Sequence, residues 1–461
     1  MQGAVCNALI VTMDGLRRIL PDSGILYDQG RIVCVDRSDV IRGMAYERGI
    51  GIKDAKGAVL FPGLINTHTH VFQHLLKGLG VDMVLEDWWP KVIGPAGVQI
   101  RERHICAAAY GNVLESLRCG VTTLTDYMQV HPVSGLSDAE IETVRSTGMR
   151  LIYGRGFRNY AGDSRFPREL IENLDDVFLE VLDLKRRYES ERIKIWLAPA
   201  AAWAVSMEGL KETADFSAAQ NIPVMMHVFE TNTDDEVCLA RYGRKAIDYY
   251  DEASLLRPGF MAVHSVKSNE DVISRFSQNG VCVSHNPVSN LYLASGVAPI
   301  PAFLHAGVTV GLGTDGAASN NSNNMLESMK VTALIHKTYC GDPLAMTAQQ
   351  ALEMATIGAA KCIGLSDQLG SIEAGKSADF FLFDPMKSPG CCPMHDPVAA
   401  LVYSSDTRGI VTVAVGGEIL LDDGVFTKLD EEKLLKSEQV LACELCSMAD
   451  FDGNVRSIHS N

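Results

Sequence analysis

Three histidines and one aspartate stand where they could grip a divalent metal ion. Leu64-Ile65-Asn66-Thr67-His68-Thr69-His70 is an apolar run that ends in two histidines two residues apart. Residues i and i+2 of a strand point to the same side, so both imidazoles would face one ion. Pro223-Val224-Met225-Met226-His227 ends a second run in a third histidine, and Gly311-Leu312-Gly313-Thr314-Asp315-Gly316 ends a third in an aspartate. His68, His70, His227 and Asp315 together make a mononuclear set with room for a water molecule.

Other residues at strand ends could work on that water. Glu230 lies three residues after His227, where a carboxylate can carry a proton to a leaving group without being a ligand. A metal lowers the pKa of its bound water toward ~7, which makes such a shuttle useful at neutral pH. His264 ends the run Met261–Val263 and could polarise the water. Gln73 could read a ring edge with donor and acceptor atoms together. His285 opens His285-Asn286-Pro287-Val288-Ser289-Asn290, a segment that reads as a rigid loop and a substrate contact. His74, His104, His131, His305, His336, His395 and His459 lack a strand-end setting and read as structural or surface residues.

The elements that must position these groups follow from the texture of the chain. Eight apolar runs alternate with helical patterns: Leu60–Ile65, Thr122–Thr125, Arg150–Tyr153, Lys194–Ala198, Pro223–His227, Met261–His264, Val281–Ser284 and Val308–Gly311. Near-continuous apolar strands flanked by helices indicate a parallel sheet buried on both faces. Eight of them suit a closed (β/α)₈ barrel of the TIM type, whose active sites lie at the C-terminal strand ends. Residues 1–60 and 366–430 carry shorter strands between turn signals such as Asp14-Gly15 and Asp422-Asp423-Gly424. They predict a small β-sandwich domain made from both chain ends, around a barrel of residues 61–365. Residues 431–461 read as a charged helix and tail. Lys194 stands at the wrong end of the fourth run to bridge two ions, so one metal is expected.

Bulk properties narrow the partners. The 461 residues carry a net charge of −16, which argues against nucleic acid because phosphate contacts need clustered Lys and Arg. No apolar run approaches the ~20 residues of a membrane span. The N-terminus has no basic start followed by an apolar stretch, so no signal peptide is expected. Twelve cysteines without a disulfide-type spacing fit free thiols in a reducing cytoplasm. Cys443 and Cys446 form a single C-x-x-C with no second pair to complete a zinc knuckle.

The residues from Phe61-Pro62-Gly63-Leu64-Ile65-Asn66-Thr67-His68-Thr69-His70 to Glu373-Ala374-Gly375-Lys376-Ser377-Ala378-Asp379 resemble the amidohydrolase superfamily over nearly the whole chain. His227-Val228-Phe229-Glu230-Thr231, Arg241-Tyr242-Gly243, Asp315-Gly316-Ala317-Ala318-Ser319-Asn320 and Met394-His395-Asp396-Pro397 are similar to a particular branch. That branch comprises aminohydrolases acting on 8-oxoguanine, isoxanthopterin, isocytosine and s-triazines. The resemblance implies that His68, His70, His227 and Asp315 hold zinc, with iron as the alternative. It implies that Glu230 protonates the ring nitrogen beside the attacked carbon, and that His264 and Asp315 help deprotonate the water. It also implies a small-molecule substrate, release of ammonia and a homo-oligomer.

The chain departs from the branch in its pocket. Ala200-Ala201-Ala202-Trp203 follows the fourth strand, Tyr127-Met128-Gln129 follows Asp126, and Trp88 and Trp89 lie nearby. Trp88 and Tyr127 are thus expected as substrate contacts in an apolar pocket, where a polar ring would leave donors and acceptors unsatisfied. A second expectation is therefore hydrolysis of an apolar N-substituted urea, carbamate or triazine by the same machinery. A third, from a different class, is a metal-binding protein without turnover, in which Glu230 would be dispensable.

Overall fold

Two β-sheets divide the chain, and both ends of the polypeptide meet in one of them. The computed structural model describes residues 1–160 and 166–451. His459 and the tail beyond residue 451 lie outside the described residues. The chain opens with β1 (Gly3–Val11), β2 (Ile19–Asp28), β3 (Arg31–Arg37), β4 (Ile52–Asp54) and β5 (Val59–Pro62). The parallel strands β6 (Leu64–Thr69), β7 (Val121–Met128), β8 (Arg150–Phe157) and β9 (Ile193–Pro199) follow, with β10 (Val224–Val228), β11 (Phe260–His264), β12 (Cys282–His285) and β13 (Val310–Leu312). The chain then returns through β14 (Phe380–Phe383), β15 (Ile410–Val415), β16 (Glu418–Asp422) and β17 (Val425–Phe426).

The terminal sheet has nine strands in the order β17-β16-β15-β14-β5-β1-β2-β3, with β4 also on β1. It curls over on itself. The Tyr27 ring meets that of Phe380 at 6.1 Å, and the Ala378 N–H donates to the Gly30 carbonyl at 2.8 Å. A core of Val5, Ile25, Leu60, Leu382 and Ala414 fills the fold. The helix Ser38–Glu47, which the residue patterns did not single out, covers the other face through Ile41 and Ala45.

The eight parallel strands follow chain order around the barrel, and helices pack outside them. Ile65, Ile152, Trp196, Met225, Met261 and Val263 fill the interior, and Ala359, Ala360 and Cys362 of the helix Ile357–Cys362 pack onto them. The expected strand Leu60–Ile65 is in fact two strands in two sheets. Pro62-Gly63 breaks the run, and β5 pairs with β14 while β6 pairs with β7. The break needs a glycine, because a Cβ at Gly63 would lie 2.2 Å from the Thr122 hydroxyl.

Side chains close the barrel between its first and last strands. The Asn66 amide donates to the Thr314 hydroxyl at 2.8 Å and accepts from the Thr314 N–H at 3.1 Å. The Asp315 N–H donates to the His68 carbonyl at 3.0 Å. Gly313 allows this approach, since a Cβ there would lie 2.9 Å from the His68 nitrogen. Closure therefore delivers His68 and Asp315, 247 positions apart in sequence, to the same place.

The C-terminal helix Glu431–Met448 packs on the barrel through Glu438, which meets the buried His74, and His74 also pairs with Glu115 at 3.0 Å. Among the described residues, no helix is long and apolar enough to cross a membrane.

A buried ion pair joins sheet and barrel. Arg150 at the start of β8 meets Asp379 at 3.2 Å, with side chains 2% and 3% exposed. Asp379 also accepts from the Ser377 hydroxyl at 2.6 Å and the Gly416 N–H at 2.7 Å. Its own carbonyl accepts from the Gly63 N–H at 3.0 Å, just before β6. Removing one member of such a pair strands a buried charge and destabilises by ~3–5 kcal/mol. Asp379→Ala should therefore lower the urea midpoint with little change in slope. The double change Arg150→Met/Asp379→Leu should recover part of the loss; a wild-type midpoint for Asp379→Ala would remove this pair from the stability of the junction.

Candidate active site

Three barrel strands bring the candidate ligands to one point. His68 and His70 lie at the end of β6 and its exit, His227 in β10, and Asp315 three residues beyond β13. The Nε2 atoms of His70 and His227 lie 3.3 Å apart. Asp315 Oδ1 is 3.3 Å from His68 Nε2 and 3.4 Å from His70 Nε2. The tautomers follow from the other ring nitrogens. His70 Nδ1 faces the Tyr127 carbonyl at 2.6 Å and His227 Nδ1 faces the Ala200 carbonyl at 2.8 Å. A carbonyl only accepts, so each Nδ1 carries the hydrogen and each Nε2 keeps its lone pair.

Electrostatics agree with neutral rings. Burial pushes His68 down to about 4, against the pull of Asp315. Burial and then the charge of His68 push His70 to about 3, and burial holds His227 well below the usual range. Two lone-pair nitrogens 3.3 Å apart in a buried site repel unless a cation sits between them. Neither nitrogen of His68 has a hydrogen-bond partner. Oxygen and nitrogen donors in this number suit a divalent ion, so the donor set fits a metal. His68, His70 and His227 form one cluster of metal-ligating atoms, and His68, His264 and Asp315 a second that shares His68.

The surroundings fix these side chains. Ser289 and Ser319 hydroxyls donate to Asp315 Oδ2 at 2.5 and 3.0 Å, and the Gly316 N–H donates to Oδ1 at 2.7 Å. Burial alone would raise the Asp315 carboxyl, but the neighbouring histidines, His68 first, hold it well below the usual range. The backbone is left-handed at Phe229, His264 and Asp315, with φ of 53°, 74° and 64°. Such residues store roughly 1–3 kcal/mol each and persist where the surroundings over-determine them.

Glu230 and His264 face each other across the cavity, with His264 Nε2 3.6 Å from Glu230 Oε2 and 4.0 Å from Asp315 Oδ2. Asn290 Oδ1 accepts from His264 Nδ1 at 2.8 Å and fixes that ring. Burial raises the Glu230 carboxyl to about 7, although the charge of His264 opposes it. Asp234, one turn further on, accepts from the Phe229 N–H and so holds the chain just before Glu230. Its carboxyl is also raised to about 7 by burial.

A cavity opens beside these groups. Its walls include His70, His227, Glu230, His264 and Asp315 with Gln73, Trp88, Trp89, Gln129, Ala200, Trp203 and Asp234. Both amide atoms of Gln73 are buried without a protein partner, as is the Trp88 indole nitrogen. Tyr127 and His285 stand apart from this wall. The Tyr127 ring packs behind the candidate ligands, 4.4 Å from the His227 ring, and its hydroxyl donates to the Pro199 carbonyl. His285 turns to His336, their Nε2 atoms 3.2 Å apart. Ser289, Asn290 and Ser319 lie in segments the sequence singled out, but their roles toward Asp315 and His264 were not legible there, and Asp234 carried no signal, because each acts through a neighbour that only the closed barrel supplies.

The amidohydrolase family profile matches residues 59–420. A 5-methylthioadenosine/S-adenosylhomocysteine deaminase of Bacillus cytotoxicus is 33% identical over 436 residues, 94% of this chain and 97% of the relative. One from Nitratidesulfovibrio vulgaris is 34% identical over 430 residues, 93% and 94% of the two chains. Among solved structures, a zinc-bound adenosine deaminase of Xanthomonas campestris superposes with a TM-score of 0.88 at 26% identity, covering 96% of this chain and 98% of its own. An atrazine chlorohydrolase of Arthrobacter aurescens, in complex with zinc and atraton, reaches 0.89 at 25% identity, with coverages of 95% and 99%. The match over most of its length, on an eight-stranded barrel with a histidine and carboxylate cluster at its mouth, places this chain in the amidohydrolase family, as a hydrolase of carbon–nitrogen bonds.

Proposed function

We propose that this chain is a single-metal aminohydrolase that removes ammonia from an aminated, purine-like nitrogen heterocycle. One observation carries the reading. The buried lone-pair nitrogens of His70 and His227 converge with Asp315 on a cavity that also holds an unpartnered amide, that of Gln73. A ring of the 8-oxoguanine, isoxanthopterin or isocytosine kind carries adjacent donors and acceptors that such an amide can pair. The relatives named as deaminases of 5-methylthioadenosine extend the class to nucleosides. Zinc stands ahead of iron because it is found in the structural neighbours. Twelve free cysteines support a reducing, cytoplasmic setting.

When bound to His68, His70, His227 and Asp315, the ion would supply Lewis acidity and acidify a water molecule. The chain's own groups handle protons and orientation. His264 and Asp315 take a proton from the water as its oxygen bonds to the amino-bearing ring carbon. Glu230, buried and raised to about 7, delivers a proton to the adjacent ring nitrogen. The carbon–nitrogen bond then breaks and ammonia leaves, with the two water protons shared between ring and leaving group. Gln73 holds the ring edge, and Trp88 closes the wall. Ala200 and Trp203 support the second expectation, an N-substituted triazine-like substrate, because they make one side of the cavity apolar.

A panel of aminated heterocycles assayed for ammonia, chloride and amine release separates these readings. Ammonia from an aminopurine or related ring supports deamination; release only of chloride or alkylamine from a triazine replaces it. Glu230→Gln should lower kcat by about 10²–10⁴-fold while the bound metal stays at wild-type stoichiometry. Unchanged turnover would leave the protein a metal binder.

The proton-donor role also sets a pH dependence. A carboxyl that must be protonated loses its competent form above its pKa, so kcat/KM should fall on the alkaline side of about 7. This limb should vanish in Glu230→Gln. A limb that persists in the variant would assign it to another group. His227→Ala should lose both metal, measured by elemental analysis, and turnover, with restoration of neither by added zinc at wild-type concentrations.

A further inference from the structure

Asp315 is held from behind as well as at its carboxylate. Its carbonyl accepts from the Thr314 hydroxyl at 3.0 Å and from the Thr69 hydroxyl at 3.2 Å. Thr69 stands between His68 and His70. A carbonyl only accepts, so each hydroxyl spends its one hydrogen there and can only accept from its other neighbours. Asn323 meets that need. Its amide nitrogen donates to the Thr69 hydroxyl at 2.8 Å and to the Thr314 hydroxyl at 3.4 Å. This clamp reaches the carboxylate through one rigid peptide unit. The Asp315 carbonyl and the Gly316 N–H belong to that unit, and the N–H donates to Asp315 Oδ1, the oxygen that faces His68 and His70.

Asn323 is itself tied to the helix layer outside the barrel. Its backbone N–H donates to Glu115 Oε1 at 2.9 Å. The other Glu115 oxygen takes Lys77 Nζ at 2.6 Å as well as the His74 ring. Burial alone would raise the Glu115 carboxyl, but His74 and Lys77 hold it down to about 2. Both of its oxygens are therefore acceptors. His74 carries the chain on to Glu438 of the helix Glu431–Met448. Gly111 opens the way, because a Cβ there would overlap both the Glu438 carboxylate and the His74 ring. The same helix also meets the helix Glu102–Arg118 through Glu431 at Arg118 and through Glu444 at Arg103. Arg118 turns to the Gly424 carbonyl and Glu444 to His104, so neither pair is a link in the chain to Asn323.

We propose, resting on the metal-centre reading above, that Asn323 and Glu115 are positioning residues for the reaction, locked by the C-terminal helix through Glu438 and His74. They touch neither substrate nor reacting atoms. They act through Thr69, Thr314 and the Asp315 peptide to aim the Asp315 carboxylate at the imidazole nitrogens. The docking of the C-terminal helix thereby becomes part of the ligand geometry at the barrel mouth.

The test needs no substrate. Zinc is titrated into the metal-free, full-length protein against a chelating indicator, and the visible spectrum of the cobalt(II)-loaded protein reports ligand geometry. The urea midpoint of the metal-free protein measures the fold. Asn323→Asp keeps the shape of the side chain and puts an acceptor where the hydroxyls need a donor. It should weaken zinc binding by about tenfold or more and alter the cobalt spectrum. Glu438→Ala should do the same, and Glu438→Gln, which keeps an acceptor for His74, should restore most of the affinity. Glu444→Ala loosens the same helix at a pair outside the chain and should leave affinity and spectrum at wild type. Wild-type affinity and spectrum in either Asn323→Asp or Glu438→Ala would overturn the proposal, as would equal losses in Glu438→Ala and Glu444→Ala. Should Asn323→Asp not fold, Thr69→Val removes the hydroxyl that Asn323 holds and stands in for it with the same expected losses. A wild-type protein that takes up no zinc would instead overturn the metal-centre reading and this inference with it.

Discussion

Buried neutral imidazoles with facing lone pairs are the constraint on which this molecule depends. The rings of His68, His70 and His227 are desolvated, and burial drives off their protons. Backbone carbonyls of Tyr127 and Ala200 then fix the hydrogens of His70 and His227 on Nδ1. The arrangement leaves electron pairs pointing inward with nothing in the protein to satisfy them. A hydrophobic core would never select such a set, since unpaired buried polar atoms are destabilising. The donor set makes sense as a cradle for a cation.

The scaffold makes that cradle by closing. His68 and Asp315 meet because β6 and β13 are joined through Asn66, Thr314 and the backbone itself. Serines on two further segments then seize Asp315. Local strain at Phe229, His264 and Asp315 is tolerable because many independent contacts hold those residues. At the opposite side, Arg150 and Asp379 tie the barrel to the terminal sheet. The segment leading to Asp379 therefore has a structural reason for its form: its carboxylate fixes β8 and its carbonyl fixes the entry to β6.

Groups that announce themselves by residue type and strand position were legible in the sequence. His68, His70, His227, Glu230, His264 and Asp315 all stand at or just past the end of an apolar run, and the barrel brings them together. The rest of the wall was less legible because it depends on directions that sequence spacing does not encode. Tyr127 lies on the same strand side as the barrel interior and packs beneath the candidate ligands. His285 finds a nearer partner in His336, which comes from a helix 51 residues later. The run Leu60–Ile65 misled for a different reason. Apolar residues continue through Pro62-Gly63 while the chain changes sheet, and hydrophobicity alone cannot register that turn.

Asp315 and Glu230 finally differ for reasons visible in their neighbours. Asp315 is surrounded by histidines and hydroxyl donors, which stabilise its anion and keep it far below the ordinary range. Glu230 is equally buried, but has a hydroxyl at 3.4 Å and an imidazole at 3.6 Å as its nearest polar company. Its neutral form is therefore favoured up to about 7. Environments that push paired titratable groups apart leave one as an anion and the other as a proton donor. Here the division follows from geometry: the carboxylate facing the imidazole lone pairs can serve a cation, and the carboxylic acid facing the cavity can serve a substrate.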